Sequence, residues 1–209
     1  VPLLKDKIVT PVLFAAVETD EGITGYGLTR GPSRLGMREF INRELGPFLK
    51  GRNPLETERV WQLLLKQFNP RSQTGMWSSA VSAIDIALWD IKGKHYKEPV
   101  WRLLGGAQNP VQGYVTFGLK QYSKEQLVDV AKQLVEQGEK RLKMVVAVDP
   151  ENPKTDAARV RAVRDAVGDD VELMIDANYL FSLNRAVELC KLVEPYSITW
   201  FEEPVYQND

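Results

Sequence analysis

Residues 171–203 read VELMIDANYLFSLNRAVELCKLVEPYSITWFEE. An apolar run over 171–177 closes on an acid, Asp176, a helical pattern follows over 182–193, and a second apolar run over 198–203 again closes on acids, Glu202 and Glu203. Strand, helix, strand in this order is a crossover unit whose two strands lie parallel. The same grammar extends upstream. Residues 111–117 and 141–148 read as strands, 153–167 as a helix, and 123–137 as a helix that Ser123 caps with Gln126 at the capping-box position. Four strands then alternate with three helices, which demands a parallel sheet with crossover helices: either a doubly wound sheet or a (β/α) barrel. No Gly-x-Gly-x-x-Gly follows the first of these strands and no Walker sequence occurs, which argues against the nucleotide-binding form of the open sheet.

Before Gly105-Gly106 the pattern differs. Two β-rich runs, residues 12–19 and 23–28, flank Asp20-Glu21-Gly22 and read as an antiparallel hairpin. From residue 34 to 96 the apolar period becomes helical, and three helices are the simplest reading, with Pro54 opening the second. The fold class is therefore an α+β unit over residues 1–106 followed by an α/β unit over 107–209.

Composition excludes several kinds of partner. Lysine and arginine (27) nearly balance aspartate and glutamate (28) without a basic block, so nothing favours nucleic acid or an anionic membrane. No apolar run approaches the roughly 20 residues of a membrane helix. The single cysteine, Cys190, rules out a disulfide framework and reads as a buried thiol of its helix, and the cytoplasm is the expected compartment. The opening Val1-Pro2-Leu3-Leu4-Lys5 reads like the middle of a strand, so residues are expected upstream of it.

The chemistry gathers at strand ends, where the catalytic face of α/β proteins lies. Asp176 and Glu202 end consecutive parallel strands, about 4.8 Å apart in backbone spacing. Either acid alone could simply begin a solvated loop; together they could share a hard divalent cation, with water or substrate in the remaining positions. Alternation along the strand turns Glu203 away from Glu202, making it a supporting residue rather than a ligand. Lys143, flanked by apolar residues on the preceding strand, is either a desolvated lysine with a lowered pKa, suited to a base or clamp, or a side chain snorkelling to the mouth of the fold.

Residues 82–94, SAIDIALWDIKGK, followed by Pro99-Val100 and Leu103-Leu104-Gly105-Gly106, closely resemble a signature segment of the mandelate racemase and muconate lactonizing family of the enolase superfamily. Asp176-x-Asn178, leading through Ala186 and Val193 to Glu202-Glu203-Pro204, resembles the same family's second signature, and the likeness runs from about Val12 to Asp209. It implies a capping domain over residues 1–106 and the first half of a (β/α)7β barrel over 107–209. Asp176 and Glu202 match the first two magnesium ligands, the third acid would lie beyond Asp209, and Asn178 matches a position near metal and substrate. The chemistry implied is removal of a proton α to a carboxylate, giving an enediolate that Mg2+ stabilises as a Lewis acid. The superfamily pairs the metal with a lysine or histidine base.

One departure matters. The family commonly carries Lys-x-Lys on the second barrel strand, and counting from Gly138 puts Lys143 at the first lysine and Val145 at the second. Valine cannot take a proton, so the base would come from the other face, a histidine–aspartate pair on later strands. The alternative slips the alignment by two residues, making Lys143 the base and Arg141 the carboxylate-binding residue. His95, in Lys94-His95-Tyr96-Lys97, reads as a surface histidine of the capping domain. A single base favours elimination, so dehydration of an acid sugar by a homo-oligomer is the preferred expectation. Racemisation, epimerisation, cycloisomerisation and a non-catalytic binding role stand as alternatives. Substrate choice would fall to segments 5–10 and 30–38, where Arg30, Arg34 and Arg38 either meet an anionic sugar acid or are solvated. Ile8-Val9-Thr10-Pro11 is short for a link between two capping-domain strands. The natural polypeptide is expected to be longer by roughly 150 residues or more, on the size of typical barrels.

Overall fold

The computed structural model describes residues 11–31, 33–106 and 110–206, so segment 5–10 and the link over Ile8 to Thr10 lie outside the described residues. Two compact units divide the chain, with the seam between residues 109 and 110.

The first unit opens with the expected hairpin. β1 (Val12–Glu18) and β2 (Thr24–Arg30) pair antiparallel from Val12 opposite Arg30 to Glu18 opposite Thr24. The Thr19 hydroxyl closes the turn, donating to the Ile23 carbonyl and accepting its amide, both at 3.0 Å. Helical structure follows: α1 (Arg34–Phe40), a π-helical stretch (Ile41–Leu45), α2 (Gly46–Leu49), α3 (Thr57–Gln67), α4 (Met76–Tyr96) and the short α5 (Val100–Leu103). Pro54 does not open α3. Asn53 intervenes, its side chain accepting the Leu55 amide at 3.0 Å and its carbonyl the Glu56 amide at 3.3 Å, so the helix starts one turn later. Segment 34–38 is likewise helix rather than loop.

The first signature segment proves to be packing chemistry. β2 lies so close on α4 that a Cβ at Gly27 would sit 1.7 Å from the Ala83 carbonyl oxygen, and one at Gly25 would sit 2.0 Å from that of Ala87. Asp90 accepts the Tyr26 amide at 2.8 Å, and Lys94 donates to the Thr24 carbonyl and to Asp90, both at 2.7 Å. One i,i+4 pair thus supplies β2 with an acceptor and a donor that another strand would otherwise offer.

In the second unit β3 (Val115–Phe117), β4 (Arg141–Val145), β5 (Glu172–Asp176) and β6 (Ile198–Glu202) form a parallel sheet in chain order. Helices α6 (Lys124–Glu136), α7 (Pro153–Val167) and α8 (Leu183–Val193) connect them. Ser123 caps α6 as expected: its hydroxyl accepts the Gln126 amide at 3.2 Å, and Gln126 Oε1 accepts the Ser123 amide at 2.9 Å. Pairing of β3 begins only at Val115, opposite Leu142, so the expected strand over 111–117 is shortened and Val111 is exposed.

Leu142, Met144, Leu173 and Ile175 are fully buried in one core with Leu127, Val130, Val160, Val163 and Leu189 from the three helices. Each such side chain is worth about 1.5–3 kcal/mol of burial, and all of it accrues on one face of the sheet. The other face is therefore free to carry Lys143, Val145 and Asp176, the alternate residues. The sheet curls toward that side: Tyr114, ahead of β3, meets Trp200 on β6 with ring centroids 5.4 Å apart, although β4 and β5 lie between. Helices on one face with curling on the other is barrel geometry; a doubly wound sheet carries helices on both.

At the N-terminal end of the sheet, buried Arg164 ties α7 to the strand starts. It donates to the carbonyls of Gly168 (2.7 Å), Val171 (2.8 Å), Tyr196 (3.0 Å) and Ser197 (3.4 Å). Cys190 corrects an expectation: its thiol is exposed. The inward stripe of α8 is Ala186, Leu189 and Val193, and Cys190 lies at its edge, about 100° around the helix from Leu189 and about 40° from Ala186. No helix among the described residues is long and apolar enough to cross a membrane.

Candidate active site at the strand ends

Asp176, the last residue of β5, is in register with Val145 on one side and Glu202 on the other. Lys143 Nζ bridges the acids, 2.6 Å from Glu202 Oε2 and 3.1 Å from Asp176 Oδ2. The Lys143 and Asp176 side chains are only 7% and 8% exposed, Glu202 35%.

The lowered lysine pKa expected from its apolar neighbours is not what the surroundings produce. Burial does pull the ammonium down, but hydrogen bonds with Glu202 and Asp176, the Asp176 charge and a bond with Tyr114 outweigh it, and the net direction is up. Lys143 is a fixed cation. Its ammonium also lies 5.1 Å from the Tyr114 ring centroid, and the Trp200 indole donates to Glu202 Oε2 at 3.4 Å.

Asn178 holds Asp176 from the solvent side, its amide and side-chain nitrogen donating to Asp176 Oδ1 at 2.9 and 2.5 Å. Glu203, one residue past the end of β6, takes the Tyr179 hydroxyl on its carboxylate while its carbonyl accepts the Tyr179 amide at 2.8 Å. Asn178 (φ 48°), Tyr179 (φ 64°) and Glu203 (φ 44°) all adopt left-handed backbone, unusual for non-glycine residues and concentrated beside the two acids.

Arg141 does not join them. It starts β4, in register with Glu172, and its Nε donates to that carboxylate at 3.0 Å. Four residues of strand, about 13 Å at 3.3 Å per residue, separate it from the end where Asp176 stands, so the slipped alignment loses its carboxylate-binding arginine. In the first unit Arg38 pairs with Glu39 at 3.0 Å, and His95 lies 3.9 Å from Glu21. A cleft of about 980 Å³ there, beside the hairpin and the 46–55 segment, holds none of the strand-end acids.

Three contributing residues escaped the sequence reading. Trp200 could have been found, standing two positions before Glu202 on the same side of the strand. Tyr114 and Tyr179 carried no such signal, since only curling of the sheet and the loop crossing after β5 bring them in.

Among the described residues no three His, Cys, Asp or Glu side chains come together as a metal site. The pair nevertheless suits a hard cation: both are oxygen donors, and an oxygen of each already converges on one positive centre within 3.1 Å.

Fold and site together define the class: an α+β unit joined to half of a (β/α) barrel, with two acids side by side at its strand ends. Residues 8–105 match the family model for the mandelate racemase / muconate lactonizing enzyme N-terminal domain, and residues 126–209 that for the enolase C-terminal domain-like fold. The chain belongs to the mandelate racemase and muconate lactonizing family of the enolase superfamily. It is 35% identical over 197 residues to a D-galactarolactone cycloisomerase of Agrobacterium fabrum, a match covering 92% of this chain and 51% of that protein. It is 32% identical to an arabinonate dehydratase of Saccharolobus solfataricus, covering 93% and 52%. The crystal structure of a racemase from Streptomyces coelicolor A3(2) with bound magnesium superposes with a TM-score of 0.87 at 29% identity, covering 95% of this chain and 56% of that one. The chain spans about half the length of the curated relatives it matches.

Proposed function

We propose that this protein removes a proton α to the carboxylate of a sugar acid and expels a β-hydroxyl, a dehydration. The observation that carries the reading is the bridged pair: Asp176 and Glu202 in register at adjacent strand ends, with Lys143 Nζ within 3.1 Å of both. In this role Asp176 and Glu202 would hold Mg2+, and the ion would supply positive charge facing the substrate carboxylate. Asn178 keeps the Asp176 carboxylate aimed, and Trp200 does the same for Glu202. Lys143, held charged, acts as an electrostatic clamp on the carboxylate oxygens where negative charge develops, not as the base.

Val145 stands beside Asp176 where the family commonly has a second lysine, and its side chain cannot accept a proton. The α-proton is then taken from the opposite face of the substrate by a base outside the described residues. The C–H electron pair forms the new C=C bond, the β C–O bond breaks, and hydroxide leaves as water on protonation. The resulting enol becomes a 2-keto-3-deoxy acid. Similarity to a cycloisomerase supports a second reading, in which the same deprotonation opens or closes a ring without loss of water.

Thermal unfolding with increasing Mg2+ tests the site. At a concentration 100 times Kd, stabilisation should reach about 2.7 kcal/mol and should vanish in an Asp176→Asn, Glu202→Gln double variant. Absence of a response in the unaltered protein would sink the proposal. Incubating aldonic and aldaric acids with the Mg2+-loaded protein in D2O then separates the reactions. Dehydration yields 2-keto acid, a racemase or cycloisomerase incorporates deuterium without it, and a binding protein does neither.

A further inference from the structure

The chemistry above leaves two buried charged groups on α7 unused. Asp156 is fully buried and Arg159 is 6% exposed. They stand one helical turn apart, behind the segments that leave β3 and β4 at the end where Asp176 and Glu202 lie. Asp156 Oδ1 accepts the Val148 amide at 3.3 Å, and the neighbouring Ala147 amide favours the charge on the same carboxylate. Arg159 Nη1 donates to the Tyr122 carbonyl at 2.7 Å. Asp156 Oδ2 and Arg159 Nε and Nη2 have no hydrogen-bond partner among the described residues. The contrast with Arg164, which donates to four carbonyls at the opposite end of the sheet, is instructive. One buried arginine of α7 is satisfied by structure; the other is not.

A carboxylate here is a poor choice for stability alone. Burial pushes Asp156 up to about 6, despite the Val148 amide, the Arg159 charge, the Ala147 amide and Lys120 from the segment after β3. Asparagine would accept the same amides without a buried charge. What the charge holds is a strained turn: Ala147 has φ 57°, a left-handed conformation that a non-glycine residue takes only under constraint. The other side of that turn is bound to the site, because the Val146 amide donates to the Asp176 carbonyl at 2.9 Å.

We propose that Asp156 is a positioning residue: it clamps the exit of β4 over residues 146–148 and, through Val146, fixes the backbone from which Asp176 reaches toward Glu202. The effect on the metal rests on the reading of Asp176 as a ligand; the clamp itself does not.

Amide hydrogen exchange by NMR, paired with Mg2+ titration calorimetry, tests both parts. In Asp156→Asn the Ala147 and Val148 amides should exchange at least tenfold faster while those of Leu173 and Ile175 hold their rates. Global stability at pH 7.5 should be unchanged or higher, and the Mg2+ Kd should rise threefold or more. Taking the unaltered protein from pH 7.5 to pH 5 should loosen the same two amides, after correction for intrinsic rates, while global stability climbs. This series decides the matter alone if the variant does not fold. A purely structural role would move local and global readings together, and that result, or unchanged exchange at 147 and 148, overturns the clamp. A loosened turn with an unchanged Mg2+ Kd overturns the link to Asp176. Absence of Mg2+ binding by the unaltered protein removes the ligand reading and leaves exchange to judge the clamp.

Discussion

Glu202 faces Asp176 because β6 carries one extra residue: Leu173 pairs with Ile198 but Ile175 with Phe201, three steps on β6 against two on β5. In an unbroken register Asp176 would meet Phe201, and Glu202 would turn toward the helices. The irregularity is a bulge next to a candidate active site, where such features re-aim side chains. It also lets Phe201 pack against the helix-side core.

Lys143 should prove indispensable to the metal-free site. Lys143→Met leaves Asp176 nearly buried against Glu202 with no cation, at a cost of about 2–3 kcal/mol, less than for a fully buried pair because Glu202 is partly solvated. Urea denaturation with and without Mg2+ checks this: Mg2+ should restore most of the loss, whereas turnover should stay down by roughly a hundredfold or more.

Gly27→Ala should destabilise the first unit by about 3 kcal/mol or more, since its Cβ would meet the backbone oxygen of Ala83, which cannot rotate away. A shift in the denaturation midpoint at constant slope would register it. An alanine tolerated within 1 kcal/mol would show that β2 does not lie on α4 as described.

Arg164→Met should cost about 3 kcal/mol or more, by leaving four carbonyls without their charged donor. Because these contacts lie at the N-terminal end of the strands, calorimetry should find the Mg2+ affinity of the folded variant unchanged.

Asp156 makes stability fall as pH rises. Its folded pKa, about 6, exceeds the ordinary 3.8, so its contribution is fully present below pH 3.8 and is lost as pH climbs through 6. Between pH 7.5 and pH 5 this group alone should add about 1.4 kcal/mol on acidification. Denaturation curves at the two pH values, compared with Asp156→Asn, isolate it; a variant with the same pH slope would refute the assignment.

Local order was legible in the sequence to the extent that it is local. The limits of α7, residues 153–167, and the capping box at Ser123 follow from proline, serine and apolar spacing, which act within a few residues. The packing role of residues 82–94 was not legible, because Ala83, Ala87, Asp90 and Lys94 matter through what they meet on β2, some 60 residues away. Cys190 was misplaced for a related reason: a helical period tells which residues share a face, but neighbouring elements decide where the buried stripe ends.

By itself, then, the sequence determined the element order, the parallel sense of the sheet and the placement of Asp176 and Glu202 at strand ends, since periodicity and connection length are properties of the chain. Tertiary structure decided that the sheet curls with its helices on one face, that an added residue in β6 brings Glu202 to Asp176, and that Lys143 is paired and charged rather than neutral. Those outcomes depend on register, curvature and the field of groups distant along the chain, and the apolar residues flanking Lys143 carry no trace of the two carboxylates that set its charge.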